Sequence, residues 1–254
     1  MSWLEMLAVF AAGIAAGGIN AVVGSGTLIT FPVLLAVGLP PVTANVSNTV
    51  GLVPGSLSGV IGYRRELSGQ RARLLRYGSA SLLGAAVGAV LLLNLPEDAF
   101  ATIVPVLIIA ALVLVVLQPR LSAWVRERQR DKASAPTHGG PILLAAIFAT
   151  GIYGGYFGAA QGVLLVGLLG VFVQDDLQRL NAVKNVLALL VNALAAVVFI
   201  AVAEIDWRVV ALIAAGSIIG GQLGARVGRR LSPNVLRAVI VVVGTIAVIR
   251  LVFG

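Results

Sequence analysis

The 254-residue sequence predicts an all-α polytopic membrane protein made of two inverted repeats, each a re-entrant, broken helix pair plus three transmembrane helices. Three observations predict it. Hydrophobic residues make up 59% of the chain and charged residues 11%, with mean hydropathy +1.03, where a soluble domain carries about a quarter charged side chains. Apolar stretches recur near the roughly 20 residues that a helix needs to cross about 30 Å of hydrocarbon. Glycine-rich interruptions fall at corresponding places in the two halves, at Gly24-Ser25-Gly26-Thr27 and at Gly158-Ala159-Ala160-Gln161-Gly162.

In chain order, Leu7–Val23 begins as a span and stops at the first interruption. The N-terminus MSWLEML has no basic region and carries Glu5, so this segment reads as retained and not as a cleaved secretory signal. Leu28–Leu39 follows, ended by Pro40-Pro41; its 12 residues cover about 18 Å as helix, half a membrane. Thr43–Tyr63, Tyr77–Leu95 and Ala99–Leu117 are full spans and complete a first repeat, 1–117. Residues 118–140, Arg-rich and then Ala-Ser-Ala-Pro-Thr, read as a basic cytoplasmic connector able to touch anionic lipid. The second repeat, 141–254, opens with Pro141–Phe157 and a second interruption. A short run, Val163–Val173, follows, ended by Gln174-Asp175-Asp176; its 11 residues cover about 16 Å. Val183–Ala203, Val209–Ala225 and Val235–Val252 are its full spans.

The halves also match in sequence. Ser25-Gly26-Thr27-Leu28-Ile29 resembles Gln161-Gly162-Val163-Leu164-Leu165 at an offset of 136, and Ser47-Asn48 falls against Lys184-Asn185 at 137. Leu83–Gly88 falls against Leu223–Gly228 at 140, with Gly-x-x-x-Gly spacings that favour close helix packing. Three full spans per unit is an odd number, so the second copy enters the membrane upside down. Charge placement agrees, because short cytoplasmic loops collect Lys and Arg. The 64–76 loop, the connector, the 226–237 region and Arg179 put 15 of the 18 basic residues on one face, while Glu97-Asp98 and Glu204/Asp206 mark the other. Both termini are then expected outside. Trp3, Trp124 and Trp207 lie at span ends, as interfacial anchors do.

The net charge of +8 is therefore an address and not a nucleic-acid footprint, and the chain has too little polar sequence to build a solvated basic domain. With no cysteine there is no disulfide framework or thiolate site. His138 is alone in a Pro/Gly loop, and no nucleophile elbow, Walker loop or His/carboxylate ligand cluster occurs, so no catalytic residue, metal or cofactor is expected. What remains is a site at the midplane, where discontinuous helices of paired repeats meet. Half-helix N-termini at Thr27 and Val163 offer unpaired N–H groups and partial positive charge. Gly24, Gly26 and Gly162 allow close backbone approach to an anion, or merely tight packing; Ser25, Thr27 and Gln161 can donate hydrogen bonds. Asn20, Asn45, Ser47, Asn48, Lys184 and Asn185, with Asn181 and Asn192, are the notable polar residues of the spans. Asn48 and Asn185 pair as amide donors or serve as interhelical glue. Lys184 supplies charge or snorkels to the basic face. All ten acids are terminal or in loops, which biases the cargo toward an anion. The expected partners are the lipid bilayer and a small anionic substrate, with self-association left open.

At these residues the chain resembles the sulfite exporter TauE/SafE family, also called the toluenesulfonate uptake permease family. Gly17 through Thr27 with Phe31-Pro32-Val33-Leu34 looks like the family's first glycine-rich break and Pro-x-Leu, and Ala44 through Val50 like its Thr-Asn element. The second copy is Gly151 through Gly162 and then Asn181 through Asn185. Ser47 and Lys184 stand where Thr is more usual before Asn. The resemblance covers essentially the whole chain. It implies a bacterial inner-membrane permease, a secondary transporter of sulfite, sulfonates or related organosulfur acids, whereas the residues alone reach only "anion" and leave an anion channel open.

Overall fold

A computed structural model describes residues 1–130, 140–227 and 233–253. Among them the chain forms ten helices and no strand: α1 Trp3–Val22, α2 Thr27–Ala36, α3 Pro41–Gly62, α4 Arg71–Asn94, α5 Glu97–Arg130, α6 Pro141–Tyr156, α7 Gln161–Phe172, α8 Leu177–Val202, α9 Trp207–Val227 and α10 Pro233–Phe253. Lys132, Thr137 and His138 of the expected connector, together with Gly228, Arg229 and Arg230, lie outside the described residues.

Local chemistry sets the helix starts. Ser2 and Glu5 form a reciprocal capping box on α1. Asp176 accepts from the Gln178 N–H at 2.8 Å to cap α8. Pro41 and Pro141 occupy first-turn positions, where a missing N–H costs nothing. The half-helices α2 and α7 have 10 and 12 residues, about 15 and 18 Å, too short to cross. Among the described residues, five helices are long and apolar enough to span: α1, α4, the Thr102–Leu121 part of α5, α8 and α9. Helix α3, 22 residues long, is not among them, because its buried face carries Asn45, Ser47, Asn48, Thr49 and Ser58.

Two expectations need adjustment. Helix α5 does not stop at Leu117 but runs through Pro119 to Arg130, where Leu121 packs on Gly167 of α7. The half-helix α7 starts at Gln161, two residues before Val163.

Glycines set the packing. Gly84 and Gly88 of α4 press on the backbone of Phe148 and Ile152 in α6, and Gly220 and Gly224 of α9 press on Ile14 and Gly18 in α1. In both pairs residue numbers rise together, so α1 runs parallel to α9 and α4 to α6. Helix α3 also runs parallel to α9, with Gly51 against Ile213 and Gly62 against Ala225. It runs opposite to α8: Val50 clusters with Ala196, and Tyr63 with Ala182. Exchanging α1–α5 with α6–α10 maps the main packings onto one another, α1 on α9 with α6 on α4 and α2 on α10 with α7 on α5. Helix starts repeat at 136 residues for α3/α8, α4/α9 and α5/α10. The glycine match therefore belongs at 136 and not 140. A four-residue motif spacing lets sequence alignment slip by one helical turn.

Candidate functional site at the paired helix breaks

Each break is four residues long, 23–26 and 157–160. The N–H groups of Val23 and Gly24 both donate to the Ile19 carbonyl, at 2.7 and 2.9 Å, and those of Phe157 and Gly158 both donate to the Tyr153 carbonyl, at 2.9 and 3.0 Å. Gly24 (φ 85°) and Gly158 (φ 75°) take the left-handed conformation that closes such a helix end and turns the chain. Ala160 enters α7 at φ 58°, an unfavourable region for a residue with a Cβ. The breaks meet where the Gly162 N–H donates to the Gly24 carbonyl at 3.0 Å. A Cβ on either glycine would collide with the backbone of the other.

Three of the four helix ends at this junction are served by a side chain from another helix. The α1 carbonyls receive the most: Lys184 Nζ donates to Asn20 O at 2.8 Å and Ala21 O at 3.4 Å, while Asn181 and Asn185 Nδ2 reach Ala21 O at 3.2 and 3.3 Å. A cation at a helix C-terminus opposes the macrodipole, and Lys184, fully buried, takes that place from α8. At the α6 end, Asn45 Nδ2 alone donates to Tyr156 O, at 2.9 Å. Asn20 Oδ1 accepts from the Gly26 N–H at 2.7 Å and so caps α2.

Between the breaks lies a small cavity of about 30 Å³. Its polar wall is Asn20, Thr27, Ser56, Gln161, Asn185 and Asn192, with glycines of both breaks and of α3 between them. Among the described residues, no Asp, Glu, Lys, Arg or His lines it. Gln161 is 3% exposed and its Nε2 has no hydrogen-bond partner. The wall has matching pairs, Ser56 with Asn192 and Thr27 with Gln161, from equivalent positions of the two halves.

Of the sequence-derived candidates, Asn20, Gly24, Thr27, Gln161, Gly162 and Asn185 meet on this wall. Gly26, Ser25, Asn45 and Lys184 stand behind it: Gly26 is the α2 cap, and the buried Ser25 hydroxyl has no partner. Two others lie elsewhere. Asn48 bridges α3 to α2, accepting from the Thr30 hydroxyl and donating to Thr27 Oγ1 at 3.4 Å. Ser47 Oγ accepts the Asp206 N–H at 3.0 Å, near the α9 start. At the 136 offset Asn48 corresponds to Lys184, not Asn185. Ser56, Thr30 and the wall position of Asn192 were missed; the 136 offset alone pairs Ser56 with Asn192.

Both mouths of the bundle carry clefts, the Arg-rich one lined by Arg64, Arg65, Glu66, Gln222 and Arg226. On the Arg-rich side, Asp175 between α7 and α8 pairs with Arg73 at 2.6 Å and Arg179 at 2.9 Å. Arg73 also donates to Gln70, whose Nε2 donates to the Arg179 carbonyl at 3.3 Å. Burial pushes the Asp175 carboxyl up, but hydrogen bonds from Arg73 and the Asp176 N–H and the charges of Arg179 and Arg73 outweigh it and hold it below its ordinary value. The opposite side has a cleft lined by Thr43 and residues 204–208.

The family profile described as "Sulfite exporter TauE/SafE" matches residues 9–251. "Probable membrane transporter protein YfcA" of Escherichia coli K12 is 27% identical, covering 94% of this chain and 86% of its own. A "Probable membrane transporter protein" of Haemophilus influenzae is 28% identical over 98% of this chain and 96% of its own, and "Probable membrane transporter protein ORF9" of a Sinorhizobium species is 27% identical over 95% and 90%. No solved structure matches. A multi-pass helical bundle, two broken helices facing one polar cavity and a family match over nearly the whole length lead to one conclusion: this chain is a membrane transporter belonging to the sulfite exporter TauE/SafE family.

Proposed function

We propose that the protein is a secondary transporter that moves a small sulfur oxyanion, such as sulfite or an organosulfonate, by alternating access across a bacterial inner membrane. The observation that carries this reading is the carboxylate-free cavity between two half-helix N-termini, walled by neutral amides and hydroxyls. Tetrahedral sulfur oxyanions present acceptors on several sides. Gln161, Asn192, Thr27 and Ser56 stand on the cavity wall from both halves. The sulfur in this reading comes from the family alone.

Alternating access fits an inverted repeat, in which each half presents to one side what the other half presents to the opposite side. The antiparallel course of α3 and α8 and the exchange symmetry of the packing support that arrangement. The Arg73–Asp175–Arg179 cluster ties α4 to α8 on the basic side, which this reading takes as cytoplasmic.

Flux into proteoliposomes tests the proposal. A carrier gives saturable uptake of labelled sulfite or sulfonate, accelerated by the same anion on the far side. Linear, ohmic current without trans-acceleration would replace it with an anion channel using the same breaks. Saturable uptake confined to carboxylates would remove sulfur from the reading.

A further inference from the structure

We propose that the cleft on the Arg-rich side binds one anionic phospholipid, its phosphate among Arg64, Arg65 and Arg226 and an acyl chain along the outer groove between α3 and α9. Helices α3 and α9 run parallel and end at one level, with Gly62 against Ala225. That places Arg64 and Arg65, just past α3, beside Arg226 in the last turn of α9. The three arginines, with Glu66, Gln222 and Ile61, line a cleft of about 410 Å³. Arg73 and Arg179 spend their charge on Asp175, whereas Arg64, Arg65 and Arg226 make no ion pair among the described residues. Three arginines against one glutamate on a single wall suit a phosphate, which guanidinium groups bind in a bidentate fashion.

The cleft continues into an apolar groove. Gly51, Gly55 and Gly62 bring α3 close to α9. Ser58 Oγ donates to the Ile218 carbonyl at 2.9 Å, and Gln222 Nε2 donates to the Ser58 carbonyl at 3.1 Å, which fixes the register of the two helices. On the outside of this seam Leu57, Ile61 and Ile218 are 48%, 46% and 45% exposed. Leu57 lies one turn from Ile61, and Ile218 one turn from Gln222, so each pair shares a helix face. Ile61 and Gln222 also line the cleft, and charged wall and apolar groove are therefore continuous. A phospholipid has the same two-part form, whereas a water-soluble phosphate ester would leave the groove uncovered. The charge pattern favours the cytoplasmic leaflet for this side, where basic pockets between spans meet anionic headgroups. A lipid held there ties α3 of the first half to α9 of the second, whatever the cargo.

Titrating the detergent-purified protein with dioleoyl phosphatidylglycerol or dioleoyl phosphatidylcholine, and counting bound lipids by native mass spectrometry, tests this. The first phosphatidylglycerol is expected to bind about tenfold or more tightly than phosphatidylcholine. Arg64→Gln/Arg226→Gln is expected to erase that preference. Arg71→Gln/Arg76→Gln, which removes two exposed arginines of the same side outside the cleft, is expected to keep it. Arg65→Gln alone is expected to weaken phosphatidylglycerol about fivefold, which keeps the test open should the double variant not fold. Phosphatidylglycerol binding no tighter than phosphatidylcholine overturns the proposal. Equal weakening by the two double variants does so too, since the attraction would then belong to the whole basic face. Glycerol 1-phosphate binding as tightly as phosphatidylglycerol would give the cleft to a soluble phosphate ester and overturn the lipid.

Discussion

Asn48 and Gln161 have similar chemistry and opposite surroundings. The Asn48 amide is spent on two threonines of α2, whereas Gln161 lines the cavity and its buried Nε2, packed against Gly154, has no partner. Asn48→Ala is expected to leave the Thr30 hydroxyl only the Gly26 carbonyl at 3.4 Å and to lower stability by about 1–3 kcal/mol, read as thermal unfolding in detergent, with KM little changed. Gln161→Leu is expected to raise KM about tenfold or more and to leave thermal unfolding near wild type, because it removes a donor that makes no bond within the protein. Sequence placed both residues among the candidates but could not tell them apart. An asparagine in an apolar segment signals that something polar is met and not what. The difference between glue and wall is a matter of which helix arrives opposite, and that is decided by contacts between residues far apart in the chain.

The elements were more legible than their partners. Half-helix lengths, the glycine breaks and their recurrence follow from hydrophobic run length and from the φ values that only glycine takes readily. Two errors have physical causes. The Arg-rich sequence after Leu117 reads as a connector, yet α5 continues to Arg130, with Leu121 packed on Gly167 of α7. The glycine ladders of α4 and α9 repeat every four residues, so they align equally well one turn out of register. The tie between the α3–α4 and α7–α8 connections was invisible, since Arg73 lies 102 residues before Asp175, and the two stretches read as a basic loop and a helix stop. Asp175→Asn is expected to lower stability by roughly 1 kcal/mol at neutral pH, a modest figure because the cluster is partly solvated. The sign follows from linkage. The folded carboxyl sits below its unfolded pKa, so its contribution is complete above the ordinary carboxylate range and vanishes as pH falls through the lowered value. Unfolding curves of wild type and Asp175→Asn should therefore diverge at pH 7 and converge in acid.

At the scale of the whole molecule, the charge pattern makes a claim that needs no structure: the Arg-rich connections share one side of the membrane and the acidic ones the other. The absence of cysteine gives a clean background for a labelling test. Cysteines at the exposed positions Ser68 and Glu204 should partition, with Glu204 reached by an impermeant maleimide from outside intact cells and Ser68 only after permeabilisation. Labelling of both from outside would break the topology. The packing of α1 on α9 has a further consequence, in the time it takes to make the protein. Gly13 and Gly17 close on a helix that begins at Trp207, about 200 residues later. At about 5–20 residues per second, the ribosome takes roughly 10–40 s to deliver it. Throughout that interval the first helix inserted must sit in lipid with its notched face uncovered, so the newborn chain depends on whatever shelters it there until the ninth helix arrives.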